Sequence, residues 1–194
     1  MNWKTTVAML AFAGGLGAYV YFDAPKPAPV ESNEVVIWSY DGDKAKAFNR
    51  FTLTTPQGEA VYQKAAASGS IAGDWTLATE PERALETMQF EAPFNDALTL
   101  KAERKVEDSV SDPAAYGFDQ PQLELALGTD KEPLQSKLVI GAKNPTGSAY
   151  YAKGPDGKIY LLSSFKVDSW TRLQASPPLA APVPLPTAVP EAAQ

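Results

Sequence analysis

The sequence predicts an α+β fold in which mostly antiparallel strands carry packed helices on one face. Three observations support this prediction. Short runs of strand-forming residues fill the segment 34–175, turn residues separate them, and two stretches of this segment have helical spacing. One N-terminal transmembrane helix is expected to precede this α+β domain.

The first element is an apolar segment, Thr5–Phe22, in which eighteen consecutive residues carry no charge. A helix of that length spans about 27 Å, close to the hydrocarbon thickness of a bilayer. A cleaved signal peptide is the alternative, because Lys4 gives a short positive region before the apolar run. The run ends in Tyr19–Phe22, which lacks the small residues of a peptidase site and is typical of an interfacial aromatic belt. We therefore predict an uncleaved signal anchor over 5–22, with residues 1–4 in the cytoplasm.

Proline-rich segments flank the predicted domain. Residues 23–33 are expected to form an extended spacer that holds the domain away from the bilayer. Residues 176–194 are so dense in proline that helix and sheet are disfavoured, which predicts a disordered or polyproline II tail. Such a tail serves as a solvated end, as a ligand for an aromatic groove or as a spacer across an envelope layer.

The first half of the domain begins with strands and ends in a helix. Its predicted strands are Val35–Tyr40, Arg50–Thr54, Ala60–Gln63 and Trp75–Ala78, with a hairpin turn at Pro56–Glu59. A helical stretch is expected to begin near Pro81 and to restart at Pro93. Phe94, Ala97 and Leu98 have the spacing of one buried helical face.

The second half has the same order of elements. Its predicted strands are Leu123–Leu127, Lys137–Ile140, Ala149–Ala152 and Lys158–Leu162, and its predicted helix is Phe165–Leu173. In both halves, hairpin-like strands, a glycine-containing loop, a further strand and a helix follow one another. Residues 50–100 and 122–173 are therefore predicted to form a degenerate internal repeat.

The composition excludes several classes of function. The chain contains no cysteine and no histidine, which excludes disulfides, thiol or imidazole catalysis and zinc sites built on these residues. The net charge of −6, from 17 basic and 23 acidic side chains, is opposite to that of a nucleic-acid binder. We therefore expect no nucleic-acid partner, no metal and no cofactor.

A series of short motifs runs through the domain. In chain order they are Phe51-Thr52-Leu53 with Gly58, Trp75 with Pro81, Phe94 to Leu100, Tyr116-Gly117-Phe118-Asp119-Gln120-Pro121, Leu138-Val139-Ile140-Gly141, Gly147-Ser148-Ala149-Tyr150-Tyr151 and Ile159-Tyr160-Leu161-Leu162. In this order they resemble the domain-of-unknown-function family 4340, over about 36–170. The long segment 80–93 and the proline-rich tail depart from the family pattern. The resemblance implies a membrane-anchored extracytoplasmic domain, which in some relatives accompanies gliding-type ABC transport systems, and it implies no catalytic site.

The motif residues are interpreted as scaffold. They are Trp75, Gly117, Pro121, Gly141 and Gly147. The two glycines that follow aromatic or aliphatic runs, Gly117 and Gly141, fit a special backbone conformation and a strand end, respectively. Tyr150 and Tyr151 are expected to point to opposite faces of one strand, so that at most one of them enters the core.

Catalytic interpretations are weak. Ser163-Ser164-Phe165-Lys166 matches S-x-x-K, but the other elements of the serine acyl-transferases are absent from the sequence. Asp41-Gly42-Asp43 lacks the remaining ligands of a calcium loop and is interpreted as a surface turn. The carboxylate pairs Glu80 with Glu82 and Asp108 with Asp112 would need to flank a cleft to act as acid and base.

The leading functional hypothesis is a binding or assembly protein on the outer side of a bacterial inner membrane or an equivalent membrane. It is not expected to be an enzyme. The aromatic residues expected to contact a protein partner are Trp38, Tyr150, Tyr151 and Trp170. Two alternatives remain open: a module that binds a lipid or a small apolar ligand between sheet and helix, and an envelope hydrolase that uses the carboxylate pairs.

Overall fold

The computed structural model describes Trp3 and residues 34–64, 74–132 and 134–180. The predicted anchor at 5–22, the spacer at 23–33 and residues 181–194 of the predicted tail lie outside the described residues. Among the residues that the structure describes, no helix is both long enough and apolar enough to cross a bilayer.

Within residues 34–180, as far as the structure describes them, the chain forms eleven strands, three α-helices and one 3₁₀ turn. In chain order they are β1 (Val35–Ser39), α1 (Gly42–Ala47), β2 (Arg50–Thr55), β3 (Gly58–Lys64), β4 (Trp75–Leu77), β5 (Glu80–Ala84), α2 (Thr87–Leu98), β6 (Thr99–Ala102), β7 (Arg104–Glu107), the 3₁₀ turn Ala114–Tyr116, β8 (Leu123–Gly128), β9 (Ser136–Lys143), β10 (Ala149–Lys153), β11 (Ile159–Ser163) and α3 (Ser164–Ala175).

Nine of the strands form one sheet in the order β5-β4-β3-β2-β8-β9-β10-β11-β7, and every neighbouring pair is antiparallel. The strands β2 to β5 form one meander and β8 to β11 form a second one. The first strands of the two meanders, β2 and β8, pair at the centre of the sheet. The prediction of a mostly antiparallel α+β fold is confirmed.

The core lies between the sheet and the helices α2 and α3. Alternation along the central strands places Phe51 and Leu53 of β2, and Leu123, Leu125 and Leu127 of β8, fully in this core. Polar neighbours such as Thr54 and Glu124 point to the opposite face, which we call the outer face. This period of two is the signal from which the sequence predicts these strands.

Aromatic rings fill the core beneath α2. Phe90 and Phe94 of this helix are buried, and both rings contact Trp75 of β4, with ring centroids 5.2 and 4.6 Å apart, respectively. Phe94 also lies edge-on to Phe51, at 5.5 Å. Trp75 is therefore a packing residue, as the interpretation as scaffold requires.

The segment 80–98 differs from its predicted structure. No helix begins at Pro81, because Glu80–Ala84 forms β5, the edge strand that pairs with β4. An edge strand tolerates proline, since its outer N–H groups have no partner in the sheet. The helix α2 begins at Thr87, and Pro93 lies at its middle rather than in its first turn.

A second, two-stranded sheet is formed by β1 and β6. It contributes Trp38, Leu100 and Ala102 to the core. The chain then passes from β6 to β7 at the edge of the large sheet, where the Glu103 N–H donates to the Leu161 carbonyl at 2.8 Å. The strands β6 and β7 were not predicted. The short helix α1 was not predicted either, because Asp41–Asp43 was interpreted as a surface turn.

The folded part of the chain extends into the predicted tail. Leu179 forms an antiparallel bridge with Leu85, and the Glu86 N–H donates to the Pro178 carbonyl at 2.7 Å. Ala180 donates its N–H to the Ala84 carbonyl at 2.9 Å. Residues 177–180 thus pack at the end of β5, which is compatible with their prolines because a proline carbonyl still accepts hydrogen bonds.

Candidate functional site

The motif Tyr116-Gly117-Phe118 lies against an irregularity of β9. Tyr150 pairs with Lys143 and Ala152 pairs with Ile140, so that two residues of β9, Gly141 and Ala142, oppose one residue of β10. This is a β-bulge, which bends the strand and creates room for a crossing segment.

Both glycines at this crossing are required by close backbone contact. Gly117 has φ +73°, and a Cβ there would lie 2.8 Å from the Ala142 backbone nitrogen. A Cβ on Gly141 would overlap the carbonyl oxygen of Tyr116. The segment after β7 can therefore cross the outer face of the sheet only with glycine at both positions. Gly141 lies inside β9 rather than at a strand end, which corrects the sequence-based interpretation.

Three half-buried aromatic side chains meet at this crossing, and we call Tyr116, Phe118 and Tyr151 the aromatic patch. The Tyr116 and Tyr151 rings are edge-on, with centroids 4.9 Å apart, and the Phe118 centroid lies 5.9 Å from that of Tyr116. The patch lies on the outer face, because Tyr150, the neighbour of Tyr151, points into the core.

The Tyr116 ring is fixed at its polar end as well. Its hydroxyl donates a hydrogen bond of 2.6 Å to Oε1 of Glu107 in β7. This bond to a carboxylate raises the pKa of Tyr116, because it stabilises the protonated phenol. The ring is thus held by its edge-on contact with Tyr151 and by a charge-assisted hydrogen bond at its hydroxyl.

The same segment continues along the outer face to Pro121. There a shallow depression of about 440 Å³ lies between the β2–β3 turn and the start of β8. Its lining residues are Thr54, Thr55, Pro56, Gln120, Pro121 and Glu124. Pro121 therefore borders an accessible surface in addition to leading into β8.

Three of the four aromatics expected to contact a partner are core residues, which corrects that prediction. Trp38 and Trp170 are buried, and their indole N–H groups donate to the carbonyls of Ala97 at 2.7 Å and Pro93 at 2.9 Å. Tyr150 is also buried, and its hydroxyl donates to Asp168 in α3 at 3.1 Å. Since these polar groups are satisfied within the fold, the side chains are not available as contacts.

Tyr151 is the member of that set that remains partly accessible. Sequence reasoning did not select its neighbours in the patch as contacts, because Tyr116 and Phe118 belong to a motif that was interpreted as scaffold. The structure supports the scaffold interpretation for Gly117 and places the flanking rings at the surface. Gly147 has φ +72° in the turn before β10, and a Cβ there would meet no atom within 4 Å.

A second surface feature is an open groove of about 310 Å³ between α2 and α3, which we call the helix groove. Met88 is 90% exposed and Phe165 is 76% exposed, and both border this groove. Each is the second residue of its helix and lies outside the buried stripe. An apolar residue outside a buried stripe is the sequence signal that would have identified them.

A smaller cleft of about 280 Å³ lies between the β4–β5 edge and α2. Trp75, Leu85 and Phe90 form its apolar wall, and its charged lining residues are Lys64, Asp74 and Glu91. Its volume is at the lower limit for small-molecule sites.

Three of the four carboxylates considered for catalysis form ion pairs or hydrogen bonds within the fold. Glu80 pairs with Arg83 at 2.8 Å, and Asp108 pairs with Lys105 at 2.7 Å, which lowers the pKa of Asp108. The pair Glu80 with Glu82 and the pair Asp108 with Asp112 lie near opposite edges of the sheet.

The other candidate chemical groups are also engaged locally. Asp112 accepts the backbone N–H groups that open the 3₁₀ turn, at 3.1 and 3.4 Å. Lys166 of the S-x-x-K match donates to the Lys101 carbonyl at 3.2 Å. Within the described ranges, no three acidic side chains are grouped as a metal site would need.

Comparison with known proteins assigns the family. The model of the domain-of-unknown-function family DUF4340 matches residues 75–174, which include α2, the Tyr116–Pro121 motif, the β9 bulge and all of α3 except its last residue. No curated protein and no solved structure matches the chain. Since the family match covers more than half of the 194 residues, the chain belongs to the DUF4340 family.

Proposed function

We propose that the protein is a single-pass, membrane-anchored binding protein that acts as an accessory component of a membrane complex such as an ABC-type transport system. Its domain would face the periplasm or an equivalent lumen. The apolar segment Thr5–Phe22 and the spacer that follows it support the anchoring, and the family resemblance supports the association with transport.

The aromatic patch is the observation that carries the binding role. Aromatic side chains on a rigid support are the residues that most often dominate binding energy at protein interfaces. Here the support is the β9 bulge and the Glu107 hydrogen bond, which fix the Tyr116 ring in the unbound protein. A surface held in this way loses little side-chain entropy on binding.

The position of the patch also supports a protein partner. The patch lies on the outer face, opposite the core, and the depression at Pro121 lies at the end of the sheet, where the Thr55 hydroxyl donates to Oε1 of Gln174 in α3 at 3.1 Å. The depression presents the apolar rings of Pro56 and Pro121 at the surface. Apolar groups with a polar border are typical of a contact with a protein segment.

Binding of a lipid or a small apolar ligand is the alternative function. The cleft beside Trp75 and Phe90 is the feature that favours it, because it opens between sheet and helix. Its three charged lining residues favour a polar head group at the entrance over a wholly apolar molecule.

A degenerate internal repeat is part of the same proposal. Each meander of four strands is followed by a helix of twelve residues, and the two first strands pair antiparallel. The segment after each helix pairs with the meander of the other half. The strand β7, which follows α2, pairs with β11, and Leu179, which follows α3, pairs with Leu85 just after β5. This arrangement is what two related units with an approximate twofold axis between β2 and β8 would produce.

Purification of the full chain from native membranes in mild detergent tests the proposed function. With the wild-type chain we expect a second membrane protein to co-purify in a fixed ratio. Tyr151→Thr should reduce its recovery at least tenfold, because the ring is lost while the β-propensity of the strand is kept. Val36→Thr is the matched control, since Val36 is 53% exposed on another strand and should leave recovery unchanged.

Two results would contradict the proposal. One is recovery of the wild-type chain alone at native expression level. The other is equal recovery of the partner with Tyr151→Thr and with the wild type, provided that both chains unfold at the same temperature.

A further inference from the structure

The helices α2 and α3 lie antiparallel to each other. At one end, Glu86 contacts Pro178 just beyond the C-terminus of α3. At the middle, the Trp170 indole donates to Pro93, and at the other end Lys166 reaches the Lys101 carbonyl just beyond α2. Pro93 and Trp170 are each the seventh residue of a twelve-residue helix, so the helices cross at equivalent points.

The helix groove therefore has two similar apolar ends. Met88 lies near the start of α2, beside the C-terminal half of α3, and Phe165 lies near the start of α3, beside the C-terminal half of α2. Both side chains are more than three-quarters exposed. These two exposed apolar side chains extend the apolar lining of the groove at both of its ends.

The groove carries opposite charges on the two sides of the crossing point. Asp96 of α2 lies on the Phe165 side, and Arg172 of α3 lies on the Met88 side. Neither forms an ion pair within the part of the chain that the structure describes. One end of the groove is thus apolar and acidic, and the other is apolar and basic.

We propose that the helix groove is the contact between two copies of this chain. A twofold axis that lies in the contact plane, perpendicular to the groove, reverses the direction of the groove in the second copy. Each Arg172 then lies at the same end of the contact as Asp96 of the other copy, and each Met88 lies at the same end as the other Phe165. The groove is complementary to itself in this orientation, which an isologous dimer requires.

This contact leaves the proposed partner surface free. The helix groove lies on the helical side of the sheet, whereas the aromatic patch lies on the outer face. The dimer and the complex with a partner are therefore independent of each other, and a failure of either can be recognised separately.

Cysteine cross-linking tests the contact directly, because the chain has no cysteine of its own. The full chain in detergent is oxidised as a mixture of Met88→Cys and Phe165→Cys molecules. We expect disulfide-linked dimers that contain one chain of each kind. Leu134→Cys is the control, since Leu134 is 63% exposed outside the groove, and it should give less than one tenth of that yield.

Exchange of charges tests the orientation. Asp96→Arg alone places two cations at each contact, and Arg172→Asp alone places two anions there, so each variant should dimerise at least tenfold more weakly than the wild type. A mixture of the two variants pairs Arg with Asp at both contacts and should restore dimerisation, measured by analytical ultracentrifugation. The double variant should likewise dimerise with itself.

The proposal is overturned if the wild-type chain is monomeric at tens of micromolar. It is also overturned if Leu134→Cys cross-links as well as the groove cysteines, or if the mixture of charge variants remains as weak as either variant alone. A groove cysteine that becomes reactive only after removal of residues 181–194 would identify that segment as the occupant instead.

Discussion

The aromatic patch depends on two glycines that have no Cβ atom. The crossing segment approaches β9 so closely that hydrogen is the side chain tolerated at Gly117 and at Gly141. The bulge and the left-handed residue place the Tyr116 ring against Tyr151, and Glu107 fixes its hydroxyl. The glycines are therefore scaffold, while the rings beside them form a surface.

Gly117→Ala should destabilise the domain more than Gly147→Ala does. Both positions have φ near +72°, so each pays a backbone cost of about 1–2 kcal/mol. Only at Gly117 does the new methyl group also overlap backbone atoms, those of Ala142, which adds about 1–3 kcal/mol. Urea unfolding measures the difference, and equal losses at the two positions would contradict the described crossing.

The burial of individual tryptophans could not be predicted from the sequence. Trp38 and Trp170 were expected at the surface, yet both indoles donate hydrogen bonds to α2 inside the fold. The residue type cannot separate these outcomes, because a tryptophan is suited equally to a core and to an interface. The partner that satisfies the N–H group lies 59 or 77 residues away in the sequence.

At the level of elements, local pattern predicted most of the sheet. Strands with a period of two, such as Leu123–Leu127, were located within one or two residues of their observed bounds. The strands β6 and β7 were missed because Thr99–Glu107 is charged and short, and its pairing depends on distant partners. The prediction of a helix near Pro81 was wrong, because proline is common in the first turn of a helix and is also found in edge strands.

The segment 177–180 illustrates the same point at the end of the domain. Composition assigned it to a disordered tail, yet it pairs with residues 84–86 at the edge of the sheet. Arg83 adds a hydrogen bond of 3.1 Å to the Ala180 carbonyl. Proline density predicts the absence of helix correctly and does not exclude pairing at an edge.

A chain that ends at Ser176 should be less stable than one that ends at Ala180. The shorter chain loses two backbone hydrogen bonds, the Arg83 contact and the partly buried side chain of Leu179, for a total of about 1–3 kcal/mol. The comparison isolates residues 177–180 because both chains lack 181–194. Unfolding at the same urea concentration would show that these residues do not stabilise the sheet edge.

At the scale of the whole molecule, the two faces of the sheet have different proposed roles. The helical face carries a groove that is complementary to itself, and the outer face carries the aromatic patch. Family membership rests on residues 75–174, which supply most of both surfaces. The function of binding a partner at a membrane is a proposal that depends on the anchor, the spacer and the patch together.

The most direct test of that proposal is site-specific photo-cross-linking in intact membranes. A photoreactive phenylalanine analogue replaces Tyr151 in one chain and Val36 in a control chain. We predict that position 151 forms an adduct with a membrane-complex subunit that also co-purifies with the wild-type chain, and that position 36 does not. No adduct at position 151, or equal adducts at both positions, would contradict the proposed role of the aromatic patch.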